Sequence, residues 1–555
     1  MRLFVYLLVL VGALGGHGAA FELVVFGGTP AGVSAAISAA DKGVSAVLIS
    51  QTETVGGAIS NGLGAQDIGS STYAKTGFQK KFFDAVAAHY GVKGQRNVGP
   101  AAAEAIFTDM LDAAGVTIVR NATLLSVAVT GRTINSITTD QGSYAAPHFV
   151  DASYPADLTA MAGAPFRLGY EDAYYYNEPY ARSRAFKTAA ALIAADRAGA
   201  DAAFSANPFI TSFPAMPFYE NASALGMPSM TFRLSVSTAA DRIPFAATAN
   251  YETYAESWRR YFRAFFLTNS AATTTNTNGS ILNALFHIAR VSGDKWDLNQ
   301  GSSSFLNVPI PRVYFEGTPA QRQAVLDQLE DYMRNFLRFA QVDPSIPAEI
   351  RDTIIPFGLS PDEFMTHGNW PREAYIREGR RIVGRDTLTS FDIYDVGARE
   401  AADTIAIGAY KMDSKPSLVA YADGVVSRDG SPYLRTPYYE IPLGALLPIG
   451  LDNLIVPVGI SASPTAYGSV RMEPQYMAMG EAAGVVSYIA KLKGTTIAEA
   501  AKKWYPSIRY ILTNEKQRNA VISIRSLCAL VGAASRAKVG FDPTTCVPVA
   551  FDLSD

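Results

Sequence analysis

Cysteine and histidine are both scarce in this chain of 555 residues, which carries 2 of the first and 5 of the second. Cys528 and Cys546 stand alone and no Cys-x-x-Cys pair exists, which excludes a redox-active dithiol relay and iron–sulfur wiring. No metal site is expected. Lysine and arginine form no run, and the net charge is only −3, so neither nucleic acid nor an anionic membrane surface is expected as a partner. Charged residues make up just 17% against 48% hydrophobic, the balance of a chain that buries a large core. At this length one core does not suffice, and two structural domains are the default.

The N-terminus reads as a targeting segment rather than as part of the fold. Arg2 gives a positive start, residues 3–14 are apolar, and Gly18, Ala19 and Ala20 form a small-residue cleavage site. The apolar span is short for a permanent anchor, so a cleaved signal and a secreted product with no membrane attachment are expected. The triplets at Asn121, Asn221 and Asn278 are then candidate glycan sites. In an oxidising compartment a Cys528–Cys546 disulfide is the expected state, two separate buried thiols being the alternative.

The richest local signal follows at once. The segment 21–26, apolar apart from Glu22, enters the turn Gly27-Gly28-Thr29-Pro30-Ala31-Gly32, which opens into an alanine-rich helix. That geometry sets a diphosphate against backbone N–H groups at a helix N-terminus. Gly27 permits the turn and Gly32 lets helix and strand pack closely, while Thr29 stands where a second glycine is usual. Residues 34–41 continue the helix and 44–50 read as a second, parallel strand, completing a βαβ unit. The acid expected to hold a ribose falls at Ser50, with Glu53 three residues on. A second glycine-rich loop over residues 55–64 includes Gly56, Gly57, Ser60 and Asn61. Nicotinamide enzymes do not need it, but a flavin does, since its ribityl chain and ring extend past the diphosphate. FAD is therefore the expected cofactor. Only one fingerprint is visible, so no second site for NAD(P)H is expected.

Further motifs extend the pattern: Phe-Val-Asp-Ala-Ser-Tyr-Pro-Ala-Asp-Leu at 149–158, Ala-Gly-Ala-Pro-Phe-Arg at 162–167, Thr-Phe-Arg-Leu at 231–234 and Arg-Ile-Pro-Phe at 242–245. Lys-Trp-Asp-Leu-Asn follows at 295–299, then Trp-Pro-Arg-Glu-Ala-Tyr-Ile-Arg-Glu-Gly-Arg-Arg-Ile-Val-Gly at 370–384. Asn-Leu-Ile-Val-Pro-Val-Gly at 453–459, Ala-Tyr-Gly-Ser-Val-Arg-Met-Glu-Pro at 466–474 and Gly-Glu-Ala-Ala-Gly at 480–484 close the series. In this order the chain resembles the FAD-dependent oxidoreductases of glutathione-reductase-like fold sometimes labelled xanthan-lyase-like. The resemblance implies an α/β fold: an FAD-binding, Rossmann-like doubly wound sheet with an inserted α+β substrate domain. The division is then 1–20 signal, 21–169 first part of the FAD domain, 170–440 substrate domain, and 441–555 closing segment and C-terminal helices. Two positions depart from the family. Pro464 and Lys415 stand where relatives often carry histidine, which puts the substrate in doubt rather than the cofactor.

Between the motifs, helices are expected over 76–90, 100–114, 251–268, 319–341, 371–384, 474–492, 498–504 and 513–531. Strands are expected over 116–119, 124–130, 134–140, 149–151 and 453–458. Asp151 ends a strand of the nucleotide-binding sheet and is a cofactor-binding candidate. Glu473 opens the closing helix, where an N-terminus stabilises charge on a reduced flavin, and Ala482 is one of its small packing residues. Arg471 and Glu473 form a charged pair amid apolar residues, which calls for a function or a buried partner.

Proton acceptors are few. His367, in a loop, is the best candidate base; His89 and His287 on apparent helices and His148 at a sheet edge read as structural. Tyr467, Lys415, Arg233 and, from the resemblance, Arg381 are further catalytic candidates, an arginine being suited to orient a carboxylate or oxyanion. The expected activity is oxidation of a small organic substrate by hydride transfer to FAD, with O2 or another acceptor reoxidising it. Alternatives are a polysaccharide-directed lyase and a flavin-binding protein with lost catalysis.

Overall fold

The computed structural model describes residues 21–67, 76–169, 171, 173–176, 178, 227–268, 285–300, 306, 308–394, 401–413, 418–420, 426–428, 433–434, 436, 438–514 and 528. Lys415, Cys546, Asn221, Asn278 and the signal segment lie outside the described residues. Cys528 is buried, and Asn121 is exposed in a turn.

Strand β1 (Leu23–Phe26) is apolar at every position and wholly buried, as a central parallel strand covered on both faces must be. It pairs in parallel with β2 (Ala46–Ile49) on one side and β4 (His148–Asp151) on the other. Strand β3 (Thr117–Val119) extends the sheet beyond β2, and β5 (Leu454–Ile455) beyond β4. The order β5-β4-β1-β2-β3 places a topological switch between β1 and β4, and ligands of open α/β sheets bind outside the carboxyl ends of the strands at such a point. His148 is therefore buried one strand in from the edge, not on it.

Helix α1 (Pro30–Ala40) begins with proline, whose missing N–H is harmless there, and Thr29 caps it by accepting the Gly32 N–H at 3.3 Å. The same hydroxyl donates to the Ala152 carbonyl at 2.8 Å, tying the turn to the end of β4. A three-stranded antiparallel meander (Leu124–Thr130, Thr133–Thr139, Gly142–Ala145) separates β3 from β4. Its third strand carries no apolar alternation and is invisible in the sequence pattern.

The middle of the chain is built differently. An antiparallel sheet orders Phe286–Ser292, Lys295–Gln300, Leu234–Ser237 and Gly358–Leu359 side by side. The long helix α2 (Pro319–Val342) opens with a capping box at Thr318 and Gln321 and packs Tyr332, Phe336 and Phe339 around buried Trp258. His287 consequently lies on a strand, correcting the helix expected there. The helix expected over 371–384 does not form either. Tyr375–Ile376 pairs with Ser229–Thr231, and Arg381–Ile382 with Phe166–Arg167. Long-range pairing wins here over local periodicity, and between the two pairs Gly379 lies against the Tyr154 carbonyl, where a Cβ would meet the oxygen at 2.1 Å. Most of the helix expected over 513–531 lies outside the described residues; Tyr505–Asn514 is helical.

Asp157 ties the segment after β4 to the middle of the chain. It accepts from Arg322 on α2 at 2.7 and 2.9 Å and from Arg380 at 2.9 Å. Burial opposes its ionisation, but the two guanidiniums more than offset that and hold its pKa below the ordinary value. A depressed folded-state pKa stabilises above the unfolded pKa and loses that contribution as pH falls through the folded value. Asp157→Asn should therefore cost about 3 kcal/mol at neutral pH and flatten the acid limb of the denaturation profile, read by urea titration across pH.

Candidate functional site

The glycine turns are built against each other. The Gly28 carbonyl accepts N–H groups from Gly56 at 2.6 Å and Gly57 at 3.1 Å. Gly57 has φ +48°, and a Cβ there would meet the Tyr154 hydroxyl at 2.6 Å and the Thr29 Cα at 3.1 Å. A Cβ on Gly32 would lie 2.0 Å from the Gly27 carbonyl oxygen. Pro30 has no N–H to offer and Gly32 is capped by Thr29, so the Ala31 amide is left at the helix start for an anion. Ser50 is buried and donates to the Thr54 carbonyl at 2.8 Å, closing the turn after β2 rather than projecting from it.

Asp151 accepts from Ser153 and Thr159 through both their amides and hydroxyls, at 2.7 to 3.1 Å. Burial pushes its pKa up against those bonds. It shapes the turn that presents Tyr154. Asn61 accepts the Arg372 and Glu373 amides at 3.2 and 3.3 Å, so the second glycine loop also holds the 370–374 segment.

Helix α3 (Pro464–Val470) starts at Pro464, with Ser463 capping it through the Ala466 N–H at 3.1 Å. Pro464 is thus a helix-starting residue here. Helix α4 (Glu473–Lys493) then runs alongside α1, with Ser34 donating to the Met477 carbonyl at 2.7 Å. Gly480 and Gly484 abut the Ala31 and Ala35 carbonyls so closely that a Cβ would fall at 2.1 and 2.4 Å. Ala482 is fully buried in the same helix.

At the start of α4 several polar atoms are buried with no protein partner. They are Oε2 of Glu473 and both amide atoms of Gln475; Ser60 Oγ on the second glycine turn is a third such group. A buried orphan costs about 1–3 kcal/mol unless a ligand completes it. Glycine turns that no side chain could enter, a free helix-start amide and these orphans fit an FAD, which Gly27 to Gly32, Gly56 to Asn61 and the start of α4 would hold.

Arg471 and Glu473 do not bond each other. Arg471 donates to the Tyr375 hydroxyl at 2.9 Å, the Asp413 carbonyl at 2.8 Å and the Asp413 carboxylate at 3.2 Å. The guanidiniums of Arg233 and Arg377 lie 5.7 and 4.9 Å from the centre of the same Tyr375 ring. Arg233 is paired in bidentate fashion with Asp297, which also accepts the Ala65 amide at 2.8 Å. A Cβ on Gly62 would strike the Arg233 carbonyl at 1.9 Å, so this cluster abuts the end of the second glycine loop as well as the start of α4. Burial and the neighbouring Arg471 and Arg233 lower the Arg377 pKa to about 10, against the pull of Tyr375 and Asp413.

The other candidates fall elsewhere. Arg381 is buried in bonds to Glu378 at 2.7 Å, the Ala462 carbonyl at 2.6 Å, Gly169 and Glu171, an anchoring role. Tyr467 donates to the Val458 carbonyl at 2.9 Å and shares a 2.8 Å contact with Tyr476; burial keeps both phenols protonated. His367 is exposed and contacts the Trp370 carbonyl at 3.1 Å. It borders a cavity of about 190 Å³ with Gln51, Glu53 and Asn121, which follow β2 and β3. That is the β2 and β3 side of the switch point rather than the α4 side. Tyr154, Gln475, Tyr375 and Arg377 escaped the sequence reading, and Glu373 with them. Tyr154 meets its partner Glu473 across 319 residues of chain, a separation that leaves no local signal.

The family model of FAD-dependent oxidoreductases matches residues 22–509. Among solved structures, the chain is similar to the bacillithiol disulfide reductase Bdr of Staphylococcus aureus, with 20% identity over 28% of this chain and 42% of that one and a TM-score of 0.20. It is also similar to thioredoxin reductase of Lactococcus lactis, with 16% identity over 24% and 35% and a TM-score of 0.17. A third is the L-amino acid deaminase of Proteus myxofaciens, with 14% identity over 24% and 46% and a TM-score of 0.21. The chain spans less than half the length of each of these structures. No curated protein matches it. The chain binds FAD and belongs to the FAD-dependent oxidoreductase family, whose model covers all but its two ends.

Proposed function

We propose that this protein is a secreted enzyme that oxidises a small, negatively charged organic molecule, with O2 as the terminal acceptor. The observation that carries the reading is the buried cluster of Arg233, Arg377 and Arg471 around Tyr375, touching both the second glycine loop and the start of α4. Among the described residues, Asp297 and Asp413 are the buried carboxylates bonded to its guanidiniums; buried Glu378 and Glu473 also feel Arg471, and exposed Asp67 and half-buried Lys411 sit at its margin. Guanidiniums in a dry site bind carboxylates well because their donors match the two oxygens. FAD, when bound, accepts a hydride and passes two electrons on. The residues of this chain orient the substrate: Arg471, fixed by Asp413, and Arg233, fixed by Asp297, hold their charge without needing the substrate to order them.

Anaerobic mixing with a panel of small carboxylic acids and uncharged analogues tests the proposal. At least one acid should bleach the flavin band and the matching amide or ester should not, and air should then restore the band with one peroxide formed per flavin. Bleaching by uncharged compounds alone removes the anionic substrate; restoration without peroxide removes O2. No bleaching by any compound favours a flavin-binding protein with lost catalysis, the reading suggested by Thr29, Ser50, Pro464 and Lys415. Secretion, the Cys528–Cys546 bridge and glycosylation at exposed Asn121 belong to the same proposal, checked by intact mass of protein recovered from culture medium.

A further inference from the structure

Glu473 is 3% exposed, and its two carboxyl oxygens differ sharply. Oε1 accepts the Tyr154 hydroxyl at 2.7 Å, and that hydroxyl itself accepts the Ala58 N–H at 2.9 Å. Oε2 is buried with no partner. The carboxyl is thus one hydrogen bond from the hydroxyl that a Cβ on Gly57 would strike, and Gly57 in turn abuts the Thr29 Cα. This places an incompletely satisfied acid beside both glycine turns, where the diphosphate and ribityl chain of FAD would run. An ionised carboxylate there would face a dianion in a site closed to water. A neutral acid would instead offer an O–H from Oε2 to an acceptor.

We propose that Glu473 is a protonated contact of the bound FAD, positioned by Tyr154, so that cofactor affinity is coupled to one proton held on Oε2. The proposal rests on FAD binding but not on the substrate or acceptor proposed above. The surroundings favour the neutral form. Burial raises the Glu473 pKa to about 8; the Tyr154 hydrogen bond and Arg471 pull it down, and Glu373 pushes it up. The other titratable groups packed near it are Tyr154 and Tyr476, both held protonated by burial, and Glu373, which burial raises to about 7. Because FAD prefers the protonated form, binding is tightest at low pH. Affinity falls as pH rises through the value in the free protein, by up to about tenfold per pH unit for a single proton.

The test is the FAD dissociation constant of the full chain, freed of cofactor and titrated with FAD by fluorescence quenching across a window centred on about pH 8. The wild type should bind evenly on the acid side and lose affinity on the alkaline side. Glu473→Gln, neutral at every pH, should keep FAD and lose the break. Tyr154→Phe, which removes a bond favouring the carboxylate, should move the break to higher pH. The infrared spectrum of the holoprotein should contain a protonated-carboxyl C=O band that Glu473→Gln removes. A pH-independent wild type, a break that persists in Glu473→Gln, or a break abolished by Glu373→Gln alone overturns the proposal. An inability to take up FAD at any pH overturns the proposal together with the FAD binding on which it rests. Failure to oxidise acids, with the pH break intact, would strike only the substrate reading.

Discussion

Replacing Gly32 with alanine should yield a protein much paler than the wild type. The added methyl would sit 2.0 Å from the Gly27 carbonyl oxygen, a backbone atom that cannot rotate away, so the turn and the helix start must separate. Overpacking of this kind costs roughly 1–3 kcal/mol even where side chains can yield. It falls here on the amides that meet the diphosphate. At about 1.4 kcal/mol per tenfold, FAD affinity should drop by at least about tenfold, and more if the turn opens fully. The ratio of visible flavin to protein absorbance after purification reads this directly. Near-native circular dichroism with a lowered melting temperature, recovered in part by excess FAD, would show that the loss lies at the turn. A variant as yellow as the wild type would mean that the diphosphate binds elsewhere.

Arg471→Leu should be the most damaging single change in the middle of the site. It would take from buried Asp413 the guanidinium bonded to it and from the Tyr375 hydroxyl its Arg471 donor. Breaking a buried pair by removing one partner costs about 3–5 kcal/mol, because an uncompensated charge remains. If the cluster binds an anionic substrate, even the fraction that folds should show flavin that acids no longer bleach. Arg471→Lys keeps the charge but cannot reach Tyr375 and both Asp413 oxygens from one planar group. It should recover most of the stability while substrate KM stays raised. Urea midpoints and anaerobic reduction rates separate the two effects. A Leu variant that is stable and reduced normally would remove Arg471 from the site.

The legible and hidden parts of this molecule divide by sequence distance. Strand β1, the turn to Gly32 and helix α1 were readable because each is specified within about ten residues: apolar run, glycine turn, proline start. The closing helix was readable for the same reason, from Pro474 to the small residues after it. The 371–384 segment misled, since its spacing suits a helix while its residues pair with strands far away and lie against Tyr154. His367 looked like a base by type and scarcity, yet its surroundings come from β2, β3 and α2.

By itself the sequence determined the cofactor class, because a diphosphate is bound by backbone, and backbone geometry follows from where glycine and proline stand. It also determined a parallel sheet, through uniformly apolar strands. The tertiary structure alone decided which charged groups meet. Glu473 finds Tyr154 and Arg471 finds Asp413 and Tyr375 only when distant segments converge, and burial then sets which of these acids can keep a proton.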